Sequence, residues 1–207
     1  SLNATTLPWM DLDLAWRRSV AAGLAVEHIV AQGKHHDISE GLLFAALMHS
    51  AGRAVLGTHY PRRYSRMVEQ CVATGEPLVN REKLVFPESH AEVMSRLLND
   101  WQIPTEYFEP LKYILDDYES LSRLSEPMRT RVEIIKVGIL IAYIAVAQWQ
   151  AWDLIELPPN AVLERLRLSS VKSILEGTES ALPGLCSFCN EAAPNPADCD
   201  HVMRMSY

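Results

Sequence analysis

The chain has 207 residues, 48% hydrophobic and 22% charged, with a formal net charge of −7, which is the composition of a globular domain able to bury a real core rather than of a disordered segment. The acidic balance argues against a general nucleic-acid partner, because a phosphate backbone rewards net positive charge; the basic runs at Arg17–Arg18 and at Arg62, Arg63 and Arg66 read as solvated faces. Cys71 stands alone and Cys186, Cys189 and Cys199 bunch near the end, a pattern too sparse for a secreted disulfide scaffold. The longest apolar run, 137–147, is too short for a membrane span, so a cytoplasmic protein is expected, with no membrane partner.

Helical periodicity dominates the chain and no hairpin signal appears. A first helix over 11–32 lines up Leu14, Ala21, Leu24 and Ala25, with Arg18 inside the stripe. A second, over 39–58, opens at Ser39–Glu40 and carries Leu42, Ala45, Ala46 and Leu56 with His49 between them. The loop before it holds the chain's His36–Asp37 pair, where Asp37 or Ser39 reads as a cap rather than a metal ligand. Further helices are expected at 61–74, 89–101, 104–118, 127–154 and 159–177, with Pro104, Pro127 and Pro159 in first-turn positions. In the 89–101 segment His90 shares a face with Val93, Leu97 and Trp101. The segment 127–154 is the expected central helix, interrupted on one side by Glu133 and Lys136. From Gly177 onward the pattern dissolves, so the expected organisation is a helical domain over 1–177 and a cysteine-containing tail over 178–207.

Three predicted helices thus each point one nitrogen-bearing side chain (Arg18, His49, His90) toward the core. Such groups are costly to bury alone, so they should meet each other, an acid, water or a ligand. For either histidine taken singly, an ordinary hydrogen bond within the core is the simpler reading.

The segments Ala15-Trp16-Arg17-Arg18-Ser19, Leu47-Met48-His49-Ser50-Ala51-Gly52-Arg53-Ala54-Val55-Leu56 and Ser89-His90-Ala91-Glu92-Val93 resemble, in order and spacing, the HDOD family, a branch of the HD phosphohydrolase superfamily found in bacterial signalling proteins. The stretches His59-Tyr60-Pro61 and Leu98-Asn99-Asp100-Trp101-Gln102-Ile103-Pro104 resemble its connecting segments, and the likeness runs from about residue 11 to about 150. It implies an all-α, HD-like bundle around a long central helix. The first residue is serine, and the helical segment that members carry before the tryptophan is nearly absent here, so an upstream portion is expected to be missing.

The resemblance also implies an ancestral metal site that this chain has largely lost. The first ligand position, two residues after the tryptophan, holds Arg18; the His-Asp dyad becomes His49-Ser50; His90 matches a histidine the family often keeps. The histidine pair after a tyrosine aligns with Ile114-Leu115 after Tyr113, and the last aspartate has no counterpart near Val137-Gly138. Serine stays neutral at pH 7, and arginine cannot be deprotonated and repels a cation. Two histidines without a carboxylate do not make a hydrolase centre. No catalytic residue and no core metal are therefore expected. The expected function is a non-enzymatic signalling output or protein-interaction domain, partnered by a signalling protein or an adjacent regulatory domain. The alternative is a residual metal-dependent phosphohydrolase acting on a nucleotide or phosphodiester through His49 and His90. A third reading is a sensor whose degenerate pocket holds an anion. Arg18 accordingly has an acid on a neighbouring helix, a bound anion or solvent as its partner. In the tail, Cys186, Cys189, Cys199 and His201 form either a structural zinc set or an incidental cluster.

Overall fold

Asp11 caps the first helix by accepting the Leu14 N–H at 2.9 Å, and Lys34, in the left-handed region at φ 58°, ends it. The computed structural model describes residues 7–192, with side chains through residue 186. Among these residues there are helices and connecting turns and no strand. The helices are α1 (Leu12–Gly33), α2 (Leu42–Met48), α3 (Ala51–His59), α4 (Pro61–Thr74), α5 (Leu78–Val85), α6 (His90–Asp100), α7 (Thr105–Phe108), α8 (Glu126–Val146), α9 (Asn160–Arg165) and α10 (Val171–Ala192).

The spine is the crossing of α1 and α8. Ala21, Ala22, Ala25, Val26 and Ile29 of α1 face Ile134, Ile135, Val137 and Ile141 of α8 in one apolar cluster. Gly138 sits at the crossing: a Cβ there would lie 2.7 Å from Val26 Cγ2 and 3.3 Å from the Ala22 carbonyl. α2 and α10 pack on α1, and α10 also on α8. A smaller core lies beside it, where Tyr64, Met67, Val68 and Cys71 of α4, at helical spacing, meet Leu56, Leu78, Phe86 and Val93. Burying each such side chain contributes roughly 1.5–3 kcal/mol, so amphipathic faces rather than propensity hold the bundle together.

Several elements depart from their expected bounds, each for a tertiary reason. The 39–58 segment is two helices, α2 and α3, broken at His49–Ser50, where the His49 ring takes the Ala46 carbonyl. It also begins later than Ser39, after Gly41 at φ 77°. α5 lies in a stretch with no predicted element; its inward face carries Glu82 with Leu78 and Val79, which breaks the apolar pattern. The 104–118 segment is helical only through Phe108 before two short turns, the first containing Pro110. The central helix stops at Val146, capped by Ala147 at φ 52°, and residues 147–159 form a loop instead of a last turn. The 159–177 segment divides into α9 and α10, with Arg167 at φ 54° between them.

Gly177 does not end a helix. α10 runs on through Pro183, and Ile174, Thr178 and Leu182 keep a buried stripe at four-residue spacing. A Cβ on Gly177 would lie 3.0 Å from the His28 ring, so this glycine serves the packing of α10 on α1. Trp101, expected on the inward face of α6, is 62% exposed, because the helix ends before it.

Candidate functional site

α6 starts with a capping box in which Ser89 and Glu92 satisfy each other's backbone N–H groups, and this fixes His90 in its first turn. α3 reaches α6 closely because Gly52 has no side chain; a Cβ there would fall 1.9 Å from the His90 carbonyl oxygen. His49 and His90 are thereby brought to one buried place, 5% and 1% exposed. Arg18 approaches the same place from α1.

Arg18 is held by an internal acid. Its Nη1 and Nη2 donate to the two carboxylate oxygens of Asp153 at 3.2 and 2.7 Å. Nη2 also donates to the Gln148 carbonyl, and the guanidinium lies 3.9 Å over the Tyr143 ring. Both side chains of the pair are nearly inaccessible, 5% and 2%. Of the partners considered for Arg18, the structure provides an acid, and it comes from the loop after α8 rather than from a helix. The Gln150 N–H donates to Asp153 as well, at 2.8 Å. Further along, Glu156 accepts from Lys136 Nζ at 2.7 Å and from the Tyr118 N–H at 3.0 Å. The Leu78 N–H donates to the Trp152 carbonyl at 3.0 Å. The loop is thus tied down over the histidines from α1, α5 and α8.

The His49 Nδ1–H donates to the Ala46 carbonyl at 2.7 Å, which leaves Nε2 as a buried lone pair with no partner among the described residues. Burial pushes its pKa down to about 3 against the pull of that hydrogen bond, and Arg53, His90 and Arg18 add to the lowering. His90 belongs to a different arrangement. Its Nδ1–H and backbone N–H both donate to Glu82 Oε2, at 2.6 and 3.2 Å, while the Tyr64 hydroxyl donates to Oε1. Burial alone would raise the Glu82 carboxyl; His90, Arg53 and Tyr64 outweigh it and hold it down at about 2. Burial lowers His90, against Glu82. The chain Tyr64–Glu82–His90 therefore carries an ionised acid and a neutral imidazole near pH 7. Glu82 was not singled out in the sequence; a glutamate three positions after an inward Val79, in a short polar stretch, is the faint signal it offered.

Arg18, His49 and Ser50 line one small recess together with Arg53. His49, His90 and Arg53 line a larger cavity of about 100 Å³. Ile114 and Leu115 form part of its wall, as do Lys136 and the loop residues 154–156. Gly138 is at the α1–α8 crossing, and its neighbours Ile139 and Leu140 face the cavity instead. Cys186 is half-buried in α10 and packs against the main core. The Cys189 side chain, Cys199 and His201 lie outside the described residues, so the zinc reading of the tail falls there.

The donors present do not fit a divalent ion. Among the described residues no group of three or more His, Cys, Asp or Glu side chains is placed to hold one. His90 Nδ1 and both Glu82 oxygens are engaged with each other and with Tyr64, and Asp153 is engaged by Arg18. Two cationic side chains, Arg53 and Lys136, line the cavity shared by His49 and His90, so its two imidazoles face cations and have no carboxylate free to join them.

The fold and site together define an all-helical domain with two buried histidines set among an arginine, a serine and aliphatic side chains. The chain belongs to the HDOD domain family, which matches it over residues 3–116. Among solved structures it is similar to the MmoQ response regulator from Methylococcus capsulatus str. Bath, with a TM-score of 0.57 and 22% sequence identity. That similarity covers 83% of this chain and 62% of the response regulator, so the chain spans less than two thirds of that protein. Comparison with curated proteins gives no significant match.

Proposed function

We propose that the chain is a non-enzymatic signal-transduction domain of a bacterial regulatory protein, working in the cytoplasm through contact with an adjacent regulatory domain or a signalling protein. The observation that carries this reading is the buried Arg18–Asp153 pair. At the position where metal-binding relatives are expected to place their first histidine, the chain has a permanent cation and has closed a loop over it with a matching acid. A salt bridge of this kind fixes a loop in one place and offers no open coordination position. The similar solved structure is that of a response regulator, in keeping with a signalling role for a domain of this fold.

The test is hydrolysis by the full chain of a generic phosphodiester such as bis(p-nitrophenyl) phosphate, with and without added manganese, iron or zinc, alongside metal analysis of the purified protein. The expected result is turnover at background and no stoichiometric metal bound through His49. Turnover that needs metal and disappears in His49→Ala would overturn the proposal in favour of a residual phosphohydrolase. Replacing Arg18→His together with Ser50→Asp is expected not to create activity, because Ile114 and Leu115 still wall the site.

A further inference from the structure

Arg53 is the unusual group in the cavity. Arg18 is bonded by Asp153, and Arg129 and Arg165 both grip Glu133 of α8. Arg53 makes no hydrogen bond or ion pair among the described residues, and its Nε is shut away from solvent without a partner. Glu82 and Asp153 interact with its charge, but their oxygens are taken by His90, Tyr64, Arg18 and the Gln150 N–H. Lys136 and Glu156 also line the cavity, and they are bonded to each other. Among the described residues, the cavity therefore presents a guanidinium fork on α3 with no bonded acid and the fully buried Nε2 lone pair of His49; His90, whose Nδ1–H is given to Glu82, and the Tyr118 and Tyr143 phenols share the wall.

We propose that the cavity is a binding site for a small hydroxy-monocarboxylate, its carboxylate held by Arg53 and its hydroxyl donating to His49 Nε2. A planar guanidinium matches a carboxylate in two-point contact. Nε2 can only accept, since Nδ1 carries the hydrogen given to Ala46, so the ligand must bring a donor to it. An ammonium in that role would meet Lys136 and Arg53; a neutral hydroxyl does not. The remaining wall is mostly apolar, with Ile114, Leu115, Ile139 and Leu154 beside the Tyr118 and Tyr143 rings, and suits a short aliphatic body. The volume, about 100 Å³, exceeds the roughly 10–15 Å³ that one water needs and suits a small organic molecule. Polyphosphates are excluded by size and by the presence of a single unmatched cation. This site is independent of the signalling proposal: it concerns occupancy of the cavity, whatever the domain then contacts.

The experiment is calorimetric titration of the full 207-residue chain with 2-hydroxybutyrate, butyrate and 2-hydroxybutyramide, while the His49 and His90 ring resonances are followed by NMR. The hydroxy acid is expected to bind saturably and to shift the His49 ring signals. Butyrate, lacking the donor, and the amide, lacking the charge, should each bind at least about tenfold more weakly, as loss of a paired polar contact implies. Arg53→Met should weaken the hydroxy acid by a similar factor or more, and Arg53→Lys by less. Should Arg53→Met fail to fold, the ranking of the three compounds on the natural chain still decides. Equal affinity for all three, no saturable binding of the hydroxy acid, or inorganic phosphate binding as well as it does would each overturn the proposal.

Discussion

At the scale of single residues, the site is governed by which charges have partners. The Arg18–Asp153 pair is buried on both sides, so removing one member strands the other away from water. Arg18→Ala is expected to cost about 3–5 kcal/mol of stability, the usual penalty for orphaning a buried charge, read as a lower urea midpoint. Because the partner is internal, the loss should be the same in phosphate and phosphate-free buffers; a loss confined to phosphate would mean that an anion, not Asp153, is the relevant partner. His49 sets a pH dependence. Its folded pKa is about 3 against an unfolded 6.5, so between those values the unfolded chain binds the extra proton. Stability is then complete above about pH 6.5 and falls as the pH drops toward 3, by roughly 1.4 kcal/mol per pH unit for each proton. His90 is shifted in the same direction, and Glu82, at about 2 against 4.5, adds its own loss below pH 4.5. His49→Gln should remove about one proton from the slope between pH 6 and 4, measured from urea midpoints across that range. An unchanged slope would show that His49 is not buried neutral.

At the scale of elements, the parts legible in the sequence are those where one apolar stripe runs without tertiary interruption. α1, α4 and α6 start and stop within a residue or so of their expected bounds, because Asp11, Pro61 and the Ser89–Glu92 box are local signals. Where a helix is ended by a distant partner, periodicity overruns. The 127–154 segment keeps helical spacing, yet Arg18 and Lys136 draw Asp153 and Glu156 into a loop. Arg18, His49 and Ser50 share one recess, and His49 and His90 share the adjoining cavity; helix phase places Arg18, His49 and His90 inward, whereas Ser50 is reached only through the resemblance. Asp153, Glu82 and Arg53 were not legible as site residues, because their roles depend on contacts between elements. Gly138 illustrates the same point. It stands where the family's last aspartate was sought, but it is needed for the α1–α8 crossing. Gly138→Asp should therefore be strongly destabilising, since its Cβ meets Val26 at 2.7 Å and its charge would be buried unpaired. Gly138→Ala should cost about 1–3 kcal/mol from overpacking alone. Thermal melts of the two variants check this, and an aspartate variant as stable as the natural chain would refute the close crossing.

At the scale of the whole molecule, the part that carries the family's likeness is not the part that completes the core. The HDOD match ends at residue 116, whereas α1 buries its stripe largely against α8 and α10, which come later in the chain. Gly177, which in the sequence reads as the end of a helix, lies in the first third of α10. Cutting the chain after Gly177 would remove Thr178, fully buried, and Leu182, 7% exposed, and would leave their neighbours on α1 facing water. Burial of one leucine is worth about 1.5–3 kcal/mol, and in a domain of this size each kcal/mol moves the melting temperature by about 2–4 °C. A 1–177 chain is thus expected to melt roughly 5–10 °C below the full one. Leu182→Ala in the full chain should reproduce much of that fall, which separates the loss of this contact from fraying at a new terminus. If the shortened chain and the full chain melt together, α10 beyond Gly177 contributes nothing to the fold, and the stripe formed by Ile174, Thr178 and Leu182 has been given a role it does not have.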